Sequence, residues 1–223
     1  MTTSRPLAMA HASATVMPLL DQAVLTPQER GRAREFGDPA ARADFVAAHL
    51  LARLCAARFL GLSPESMMLA QHCQGCGAED HGRPFLPDHP HVGVSLSHTR
   101  GAVAAAAGPG AVGIDVEVAT RARFEPRLAR RILTAAEFRA VQAAPDPART
   151  MLRHWVRKEA MVKVGAVSLG TMRHLDVGSA SGGSAVAGWH VLDWSIGDLY
   201  VSVAARRPST MVSVDLTPGA IHA

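Results

Sequence analysis

The sequence predicts an α+β fold of two similar lobes, each a long helix packed on a small antiparallel sheet. Three observations predict it. In each half of the chain, a region of helical periodicity precedes a group of alternating strands. The strand segments are joined by tight turns, as antiparallel strands are. The order of elements in the first half recurs in the second as a pattern without sequence identity, which predicts a pseudo-twofold arrangement. The predicted lobes span residues 1–118 and 119–223, with an active-site cleft between them.

The first lobe begins with helical periodicity over residues 27–60, interrupted at Gly37-Asp38-Pro39 and ended by Gly61, a residue type typical of a helix C-terminus. Residues 71–91 hold many glycines and prolines and are predicted to be a loop. Residues 92–96 and 102–107 are predicted to form a hairpin around the turn at 99–101, and residues 112–118 form a third strand.

The second lobe begins with one or two helices over residues 121–144, where Thr134 and Glu137 form a capping box. A Pro-Asp-Pro break precedes a second strong helix over residues 148–164. Residues 178–188 are rich in Gly, Ser and Ala and are predicted to be a loop. Residues 189–193 and 199–205 are predicted to form a terminal hairpin.

The composition is that of a soluble globular protein. Of the 223 residues, 48% are hydrophobic and 19% are charged, and only 4% are aromatic, so that Ala, Leu and Val must fill the core. The net charge of +4 favours anionic ligands but is too small to indicate nucleic acid binding. No apolar run reaches the ~18 residues of a membrane-spanning helix. Three cysteines are typical of a reducing compartment, and we therefore expect a cytoplasmic protein without a membrane or nucleic acid partner. A membrane channel, a coiled coil and a secreted disulfide scaffold are excluded.

Two carboxylates lie on the third strand, in the segment Gly113-Ile114-Asp115-Val116-Glu117. Residues two apart on a strand point to the same face, with Cα atoms about 7 Å apart. Two carboxylates held in this way in an apolar strand can share one hard cation through their oxygens. The same pattern also fits a solvated strand face, and this segment alone does not decide between the two.

Trp155, Glu159 and Lys163 form one stripe of the second strong helix, because they are spaced four residues apart. By itself this stripe is more typical of a surface Glu–Lys pair than of a site. The functional alternative is a further metal ligand beside a cation directed at phosphate oxygens.

Polar donors cluster in two places before the acidic strand. Ser95, Ser97, His98 and Thr99 surround a strand end, where hydroxyls and an imidazole suit a phosphate, and no Gly-x-Ser-x-Gly nucleophile motif is present. Arg83 offers a planar pair of donors that suits the same ligand.

Cys73 and Cys76 form a Cys-x-x-Cys pair with histidines on either side, His72 and His81. The pair is compatible with a zinc site that uses one of the histidines, with a reducible thiol pair, or with plain loop residues. A second Cys pair is missing, and the latter two readings are favoured.

Taken in order, four segments change the interpretation: Gly82-Arg83-Pro84, Ser97-His98-Thr99, Gly113 to Glu117, and Trp155 to Lys163. In this order and spacing the chain resembles the Sfp-type 4′-phosphopantetheinyl transferases over residues 27–205. It departs from their pattern at Thr99, where Ser is usual, and at Ala166-Val167-Ser168-Leu169, where Gly-x-Gly-Leu is usual.

The resemblance implies an enzyme that moves the phosphopantetheine arm of coenzyme A onto a serine of an acyl or peptidyl carrier protein and releases adenosine 3′,5′-bisphosphate. It implies Mg²⁺ as the cofactor, with Mn²⁺ as the alternative, held by Asp115, Glu117 and Glu159. Glu159, or a metal-bound water, would take the serine proton, and Lys163 would stabilise the leaving phosphate. The implied catalytic residues are therefore Glu159, Lys163 and Asp115. The implied contacts to coenzyme A are Arg30, Arg32, Arg83, Ser97, His98, Lys158 and Lys163, among which Arg83 and His98, with Ser97, form a 3′-phosphate clamp.

The resemblance also implies a monomer, because both halves of the cleft lie in one chain, and acidic carrier proteins as partners. Glu137 matches an acidic position of the family whose role the sequence does not give. Two other hypotheses remain at this point: a Mg²⁺-dependent phosphohydrolase acting on a nucleotide or phosphodiester with the same carboxylates, and a non-catalytic binding protein with surface acidic residues. The pathway served, whether fatty acid, polyketide or nonribosomal peptide biosynthesis, is not readable from the sequence.

Overall fold

The computed structural model describes residues 5–73, 75–79, 81–178 and 183–212. The strands are β1 (Leu7–Ala12), β2 (Ala70–His72), β3 (Arg83–Phe85), β4 (Val92–Thr99), β5 (Ala102–Pro109), β6 (Val112–Val118), β7 (Gly183–Val186), β8 (Trp189–Ile196), β9 (Leu199–Ala205) and β10 (Thr210–Met211). The helices are α1 (Ser13–Val16), α2 (Pro27–Glu35), α3 (Pro39–Leu60), α4 (Pro126–Ile132), α5 (Ala135–Ala143) and α6 (Pro147–Lys163). Short 3₁₀ helices cover Met17–Leu19, Gln22–Val24, Pro64–Ser66, Ala119–Arg121 and Met172–His174. The mixed α+β class is confirmed.

The strands form two sheets. The first has six strands in the order β10-β1-β5-β4-β3-β2, and the second has four in the order β6-β9-β8-β7. Along β5, alternate residues serve two cores: Ala105 and Ala107 pack with α3, whereas Ala104 and Ala106 pack with β6 and β9. The far side of the second sheet packs on α6, where Ala204 contacts the same core as Met161. The layers therefore follow the order α3, first sheet, second sheet, α6.

The helix α3 begins and ends at residues suited to those positions. Asp38 caps its N-terminus by accepting a hydrogen bond from the backbone N–H of Ala40, and Pro39 occupies the first turn. Gly61 ends the helix in the left-handed conformation, at φ +69°. Its central residues are buried nearly all round, which is typical of a helix inside a lobe.

A buried ion cluster joins α3 to α2. Glu29 on α2 accepts hydrogen bonds from Arg53 at 2.7 and 2.9 Å and lies 2.6 Å from His49 Nδ1. Burial alone would raise the pKa of Glu29, but the contacts with His49 and Arg53 outweigh it and lower the pKa to about 2. The charge of Arg53, which is completely buried, is thereby balanced.

The predicted local elements are confirmed where hydrogen bonding is local. The strands β4 and β5 form the predicted hairpin, as do β8 and β9. Thr134 and Glu137 form the predicted capping box at the start of α5. The long helix α3 lies within the predicted region 27–60, and α6 differs from the predicted range 148–164 by one residue at each end.

Other predictions need correction, because strand pairing depends on residues far away in the chain. Residues 178–188 were predicted to be a loop, yet Gly183–Val186 pairs with β8; residues 179–182 lie outside the described ranges. The predicted loop 71–91 contains β3 and the end of β2. The acidic strand β6, assigned to the first lobe by the division at residue 118, pairs with β9 and belongs to the second sheet. In return, β10 from the C-terminal half pairs with β1 of the first sheet.

Within the described ranges, no helix is both long enough and apolar enough to cross a lipid bilayer.

Candidate functional site

Gly113 allows the helix α6 to lie directly against β6. A Cβ at this position would lie 2.3 Å from the carbonyl oxygen of Ala160 and 2.9 Å from the backbone nitrogen of Val164. Any larger residue would therefore push the last turn of α6 away from the strand. Gly113, Asp115 and Glu117 lie on the same face of β6, because every second residue of a strand does. The same close packing therefore brings that turn of the helix over the two carboxylates.

Asp115 is the best-defined side chain of the site. It is buried, and its Oδ1 accepts hydrogen bonds from Ser97 Oγ at 2.7 Å and from Lys163 Nζ at 2.9 Å. Lys163 also donates to the carbonyl oxygen of Ile114 at 2.8 Å, which holds its ammonium group beside the strand. The second oxygen, Oδ2, is buried and has no hydrogen-bond partner among the described residues. A buried carboxylate oxygen without a donor is what a bound cation satisfies.

Three hydroxyls of β4 support the acidic strand. Ser95 Oγ accepts a hydrogen bond from the backbone N–H of Ile114 at 3.1 Å, and Thr99 Oγ1 donates to Glu117 Oε2 at 2.9 Å. Together with Ser97, they run along one face of β4 and contact successive positions of β6. The sequence indicated these hydroxyls as phosphate donors. In the structure their contacts are to β6, so that they join the two sheets and orient Asp115 and Glu117.

The carboxylates of the site influence one another. Burial raises the pKa of Glu117, and the charge of Asp115 raises it further, against hydrogen bonds from Thr99 and Trp155 and the charge of Lys163. Burial likewise raises the pKa of Glu159, again with a contribution from Asp115, which Lys163 opposes, and from Glu117. The three acidic residues that the sequence proposed as metal ligands therefore lie near enough to influence one another's ionisation.

The donor set fits a hard divalent cation. All three side chains offer carboxylate oxygens, the ligand type that Mg²⁺ and Mn²⁺ prefer. Their repulsion and the unpartnered Oδ2 of Asp115 would both be relieved by positive charge. In the structure the oxygens of these three side chains do not all lie within 4.8 Å of one another.

Arg83 reaches this region from the first sheet. Its Nη2 donates to the carbonyl oxygen of Lys163 at 2.8 Å, at the end of α6, while its side chain remains exposed. The helix ends in a Schellman motif, in which Gly165 at φ +78° donates to Val162 at 2.9 Å and Ala166 donates to Met161 at 3.0 Å. The turn that departs from the family pattern after Lys163 thus has its left-handed glycine at position 165.

His98 lies on the opposite face of β4 from Ser97. It is exposed, and its ring meets that of Phe45 edge-on with centroids 6.2 Å apart. The surrounding protein lowers the pKa of His98, with further lowering by His49 and Lys163 against the charge of Asp44. The ring is therefore less readily protonated than that of an ordinary histidine, and an imidazole N–H can donate a hydrogen bond to an anion.

Arg30 and Arg32 make local contacts on α2. Arg30 donates to the carbonyl oxygen of Leu25, and Arg32 pairs with Glu35 on the helix surface. The hydrogen bonds and ion pairs described for these two arginines do not join them to the carboxylates.

Lys158 is a correction to the predicted contacts with coenzyme A. Its side chain is completely buried, and its Nζ lies 2.8 Å from Glu137 Oε2 and donates to the carbonyl oxygens of Met172 and Leu175 at 2.9 and 2.6 Å. Lys158 directly precedes Glu159 in the chain, so its side chain points to a different face of α6. It therefore serves the interior of the second lobe and does not face a ligand.

The role of Glu137, which the sequence left open, is structural. Besides Lys158 and the capping of α5, it accepts a hydrogen bond from the backbone N–H of Val177 at 2.9 Å. Burial alone would raise its pKa, but hydrogen bonds from His154, Lys158 and the backbone lower it to about 2. Sequence reasoning found its capping box but had no signal for the distant partners.

Comparisons with known proteins place this arrangement in context. Residues 111–214 match the model of the 4′-phosphopantetheinyl transferase superfamily. The 4′-phosphopantetheinyl transferase of Bacillus subtilis is 24% identical over 143 residues, which cover 63% of this chain and 60% of the relative. The alignment thus spans less than two thirds of the relative's length. The matched segment contains β6 and α6 with the carboxylates and Lys163, whereas Arg83, Ser97 and His98 precede it.

Proposed function

We propose that the chain is a 4′-phosphopantetheinyl transferase, as its match to that superfamily over residues 111–214 supports, and that it transfers the 4′-phosphopantetheine group of coenzyme A to a serine of an apo acyl or peptidyl carrier protein. The observation that carries the proposal is Asp115: one of its oxygens accepts hydrogen bonds from Ser97 and Lys163, and the other is buried without a partner in the described chain. A substrate with a metal-bound pyrophosphate suits such a carboxylate beside an ammonium group.

A divalent cation, Mg²⁺ or alternatively Mn²⁺, would be held by Asp115, Glu117 and Glu159 and would supply charge neutralisation at the pyrophosphate. The carrier serine attacks the phosphorus that bears the pantetheine arm. A new P–O bond forms, the phosphoanhydride bond breaks, and adenosine 3′,5′-bisphosphate leaves with the electron pair. Lys163, whose Nζ is held by Asp115 and Ile114, stabilises the leaving phosphate oxygen.

The serine proton needs an acceptor, and Glu159 fits that role. It is a carboxylate beside the place proposed for the pyrophosphate, and a carboxylate can accept a proton from a positioned hydroxyl. It lies on the same face of α6 as Lys163, one turn earlier, so the base and the stabilising cation reach the same substrate from one helix.

We place the 3′-phosphate of coenzyme A near Arg83 and His98. Arg83 is exposed and reaches the end of α6, and His98 is an exposed hydrogen-bond donor next to Ser97 in the chain. A role of Arg30 and Arg32 in binding coenzyme A rests on the resemblance alone, because their contacts lie within α2 and the segment before it.

The wider expectations rest on the same premise. We propose that the two helix-and-sheet halves are related by a pseudo-twofold axis, with the cleft between them, and that the protein acts as a cytoplasmic monomer. The net charge of +4 supports acidic carrier proteins as partners rather than basic ones.

The test combines the protein, coenzyme A, Mg²⁺ and a panel of purified apo carrier proteins, and mass spectrometry then measures the carriers. We expect at least one carrier to gain the mass of one phosphopantetheine group. Glu159→Gln should abolish the gain, whereas Glu125→Gln, which changes an exposed glutamate before α4, should keep it. Full activity of Glu159→Gln would refute the assignment of this residue.

The phosphohydrolase hypothesis predicts a different result in the same assay. Release of nucleotide or phosphate from coenzyme A without any carrier would favour hydrolysis, and no mass gain on any carrier would refute the transferase. If neither carrier modification nor nucleotide release occurs, the non-catalytic hypothesis stands.

A further inference from the structure

A second cluster of ligand-type side chains lies outside the carboxylate site, in the loop between β2 and β3. Cys73, Cys76 and His81 each bring one potential ligand atom, and these atoms all lie within 4.8 Å of one another. Cys76 Sγ is 3.3 Å from His81 Nε2. The two cysteines are not joined by a disulfide. The carboxylate oxygens of the proposed active site do not all lie this close to one another, so this cluster is the more closed of the two.

The backbone of the loop turns back on itself to form the cluster. Gly77 donates to the carbonyl oxygen of Cys73 at 2.8 Å, and Cys73 donates to that of Ala78 at 2.9 Å. Gly77 has φ +75°, a left-handed conformation that favours glycine directly after the second cysteine. The resulting tight turn directs the two sulfurs of the Cys-x-x-Cys pair to the same side, as zinc-binding turns require.

A second glycine brings His81 back to the cysteines. Gly82 has φ +106°, and a Cβ on it would lie 2.4 Å from the carbonyl oxygen of His72 and 2.6 Å from the nitrogen of Cys73. Only glycine permits this close crossing of the two strands of the hairpin. The imidazole of His81, on the preceding residue, therefore reaches the sulfurs without a long side chain.

We propose that Cys73, Cys76 and His81 bind one Zn²⁺ ion, with water or an external donor as the fourth ligand, and that this ion holds the β2–β3 hairpin in shape. Two thiolates and an imidazole are the donors that Zn²⁺ prefers, and two thiolates balance its charge. Mg²⁺ prefers oxygen ligands, so the cluster and the carboxylate site select different metals.

The position of the cluster gives the ion a consequence for Arg83. His72 pairs with Arg83 across the hairpin, directly beside the cluster, and Arg83 donates to the carbonyl oxygen of Lys163 at 2.8 Å. An ion that fixes the hairpin would therefore fix the start of β3 and the direction of the Arg83 side chain. This part rests on the proposed function, since it gives Arg83 a role in holding coenzyme A. The metal site itself does not rest on it.

Metal content is the direct test. The purified protein is saturated with zinc, dialysed against metal-free buffer and analysed by inductively coupled plasma mass spectrometry. We expect about one zinc per chain, as for a structural zinc site. Cys76→Ser and His81→Gln should lower the content to background, whereas His190→Gln, which changes an exposed histidine of β8, should keep it.

Cobalt substitution provides a readout that does not depend on activity. Co²⁺ bound by two thiolates should give sulfur-to-cobalt charge-transfer absorption and the intense visible bands of tetrahedral coordination. Cys76→Ser, which should not retain the ion, should lose the charge-transfer absorption, whereas His190→Gln should keep it. Circular dichroism of each variant shows whether it folds. If a variant does not fold, wild-type protein stripped with a chelator and titrated with Co²⁺ gives the same test.

Limited proteolysis tests the structural role. Removal of zinc should increase cleavage in residues 73–82 at least severalfold, and zinc, but not Mg²⁺, should restore protection. Zinc lost on dialysis with no change in cleavage would indicate an adventitious ion only and would overturn the proposal. A protein that binds no zinc while Cys73 and Cys76 form a disulfide would overturn it as well. A change in the KM for coenzyme A on zinc removal tests only the role of Arg83. An unchanged KM would therefore leave the zinc assignment unaffected.

Discussion

The side chain of Asp115 has features that reduce folding stability and that suit the proposed binding of a cation. Its Oδ1 is saturated by Ser97 and Lys163, while its buried Oδ2 has no partner in the described part of the chain. Burial and the charge of Asp115 together raise the pKa of Glu117 and contribute to that of Glu159. The ionised carboxylates therefore raise the free energy of the metal-free folded protein, which is typical of sites whose ligand relieves the repulsion.

The pH dependence of this effect has a defined sign. The pKa of Glu117 is higher in the folded than in the unfolded chain, so ionisation of this carboxyl group is less favourable in the folded chain. Glu117 therefore destabilises the fold at neutral pH, and stability is regained as pH falls through its folded pKa. The proposed binding of Mg²⁺ by Glu117 would have the opposite dependence, because protonation removes the ligand. We expect Mg²⁺ affinity to decline at a higher pH than an ordinary glutamate, with a pKa of 4.5, would give.

Glu117→Gln should accordingly increase the free energy of unfolding of the metal-free protein at neutral pH by about 1 kcal/mol or less, and its melting temperature should rise. The same substitution should weaken Mg²⁺ binding. The stability gain should disappear at low pH, where Glu117 itself is protonated. Thermal denaturation at several pH values, with Mg²⁺ titration by calorimetry, measures both effects. A variant less stable than the wild type at neutral pH would contradict the repulsion described above.

Glu137→Gln is the matched control, because its glutamate is paired rather than repelled. The substitution leaves the buried charge of Lys158 without its partner and should reduce stability by about 3–5 kcal/mol. The pKa of Glu137 is lowered to about 2, so its contribution is present above the ordinary glutamate pKa of 4.5 and is lost as pH falls toward 2. The two glutamates should thus respond in opposite directions to the same substitution.

Among the secondary-structure elements, the contact of α6 with β6 determines the site. Gly113 lets the helix approach so closely that a Cβ would lie 2.3 Å from the backbone of Ala160. Because Glu159 and Lys163 lie on that helix and Asp115 lies on the strand, the spacing of the two elements sets the distances between the proposed base, cation and metal ligands. The glycine of the Gly-x-Asp segment thus has a packing reason that is independent of the resemblance.

Gly113→Ala should separate the two elements. We expect a loss of about 1–3 kcal/mol in stability from overpacking, measured by urea denaturation, and a loss of transferase activity even where the protein remains folded. Gly31→Ala is the control, since nothing lies within 4 Å of a Cβ built on Gly31 and alanine is the better helix former there. Equal stability of Gly113→Ala and the wild type would show that α6 does not lie as close to β6 as described.

At the scale of the whole molecule, the two sheets meet through small side chains. Ala8, Ala10, Ala104 and Ala106 of the first sheet face valines and Ile114 of the second, and all four alanines are almost completely buried. Small residues allow the sheets to approach, and this approach brings the hydroxyls of β4 within hydrogen-bond distance of β6. The low aromatic content of the sequence is consistent with this packing, because large aromatic side chains would keep the two sheets apart.

Ala106→Leu should force the sheets apart. Overpacking of this kind costs about 1–3 kcal/mol, so the midpoint of chemical denaturation should fall, and activity should decline because Ser97 moves away from Asp115. Ala185→Leu, at an exposed position of β7, is the matched control and should change neither property appreciably. If both variants behave alike, the interface between the sheets tolerates large residues, contrary to the packing described.

Much of the candidate site could be predicted because its signals are local. The alternation of Asp115 and Glu117, the stripe of Glu159 and Lys163 on α6, and the glycine of the acidic strand are all periodic features of short segments. The partners were not predictable in the same way. The contacts of Ser97 with Asp115 and of Lys158 with Glu137 join residues 18 and more positions apart, and no local periodicity encodes them.

The sequence by itself determined the helix α3 with its C-terminal Gly61, the helix α6, the β4–β5 and β8–β9 hairpins and the residue types of the acidic site. These features depend on neighbours along the chain. The tertiary structure decided which sheet β6 and β10 join, which face of α6 is buried around Lys158, and that Cys73, Cys76 and His81 converge. These outcomes depend on the burial of surfaces distant in sequence, and only the packed chain brings those surfaces together.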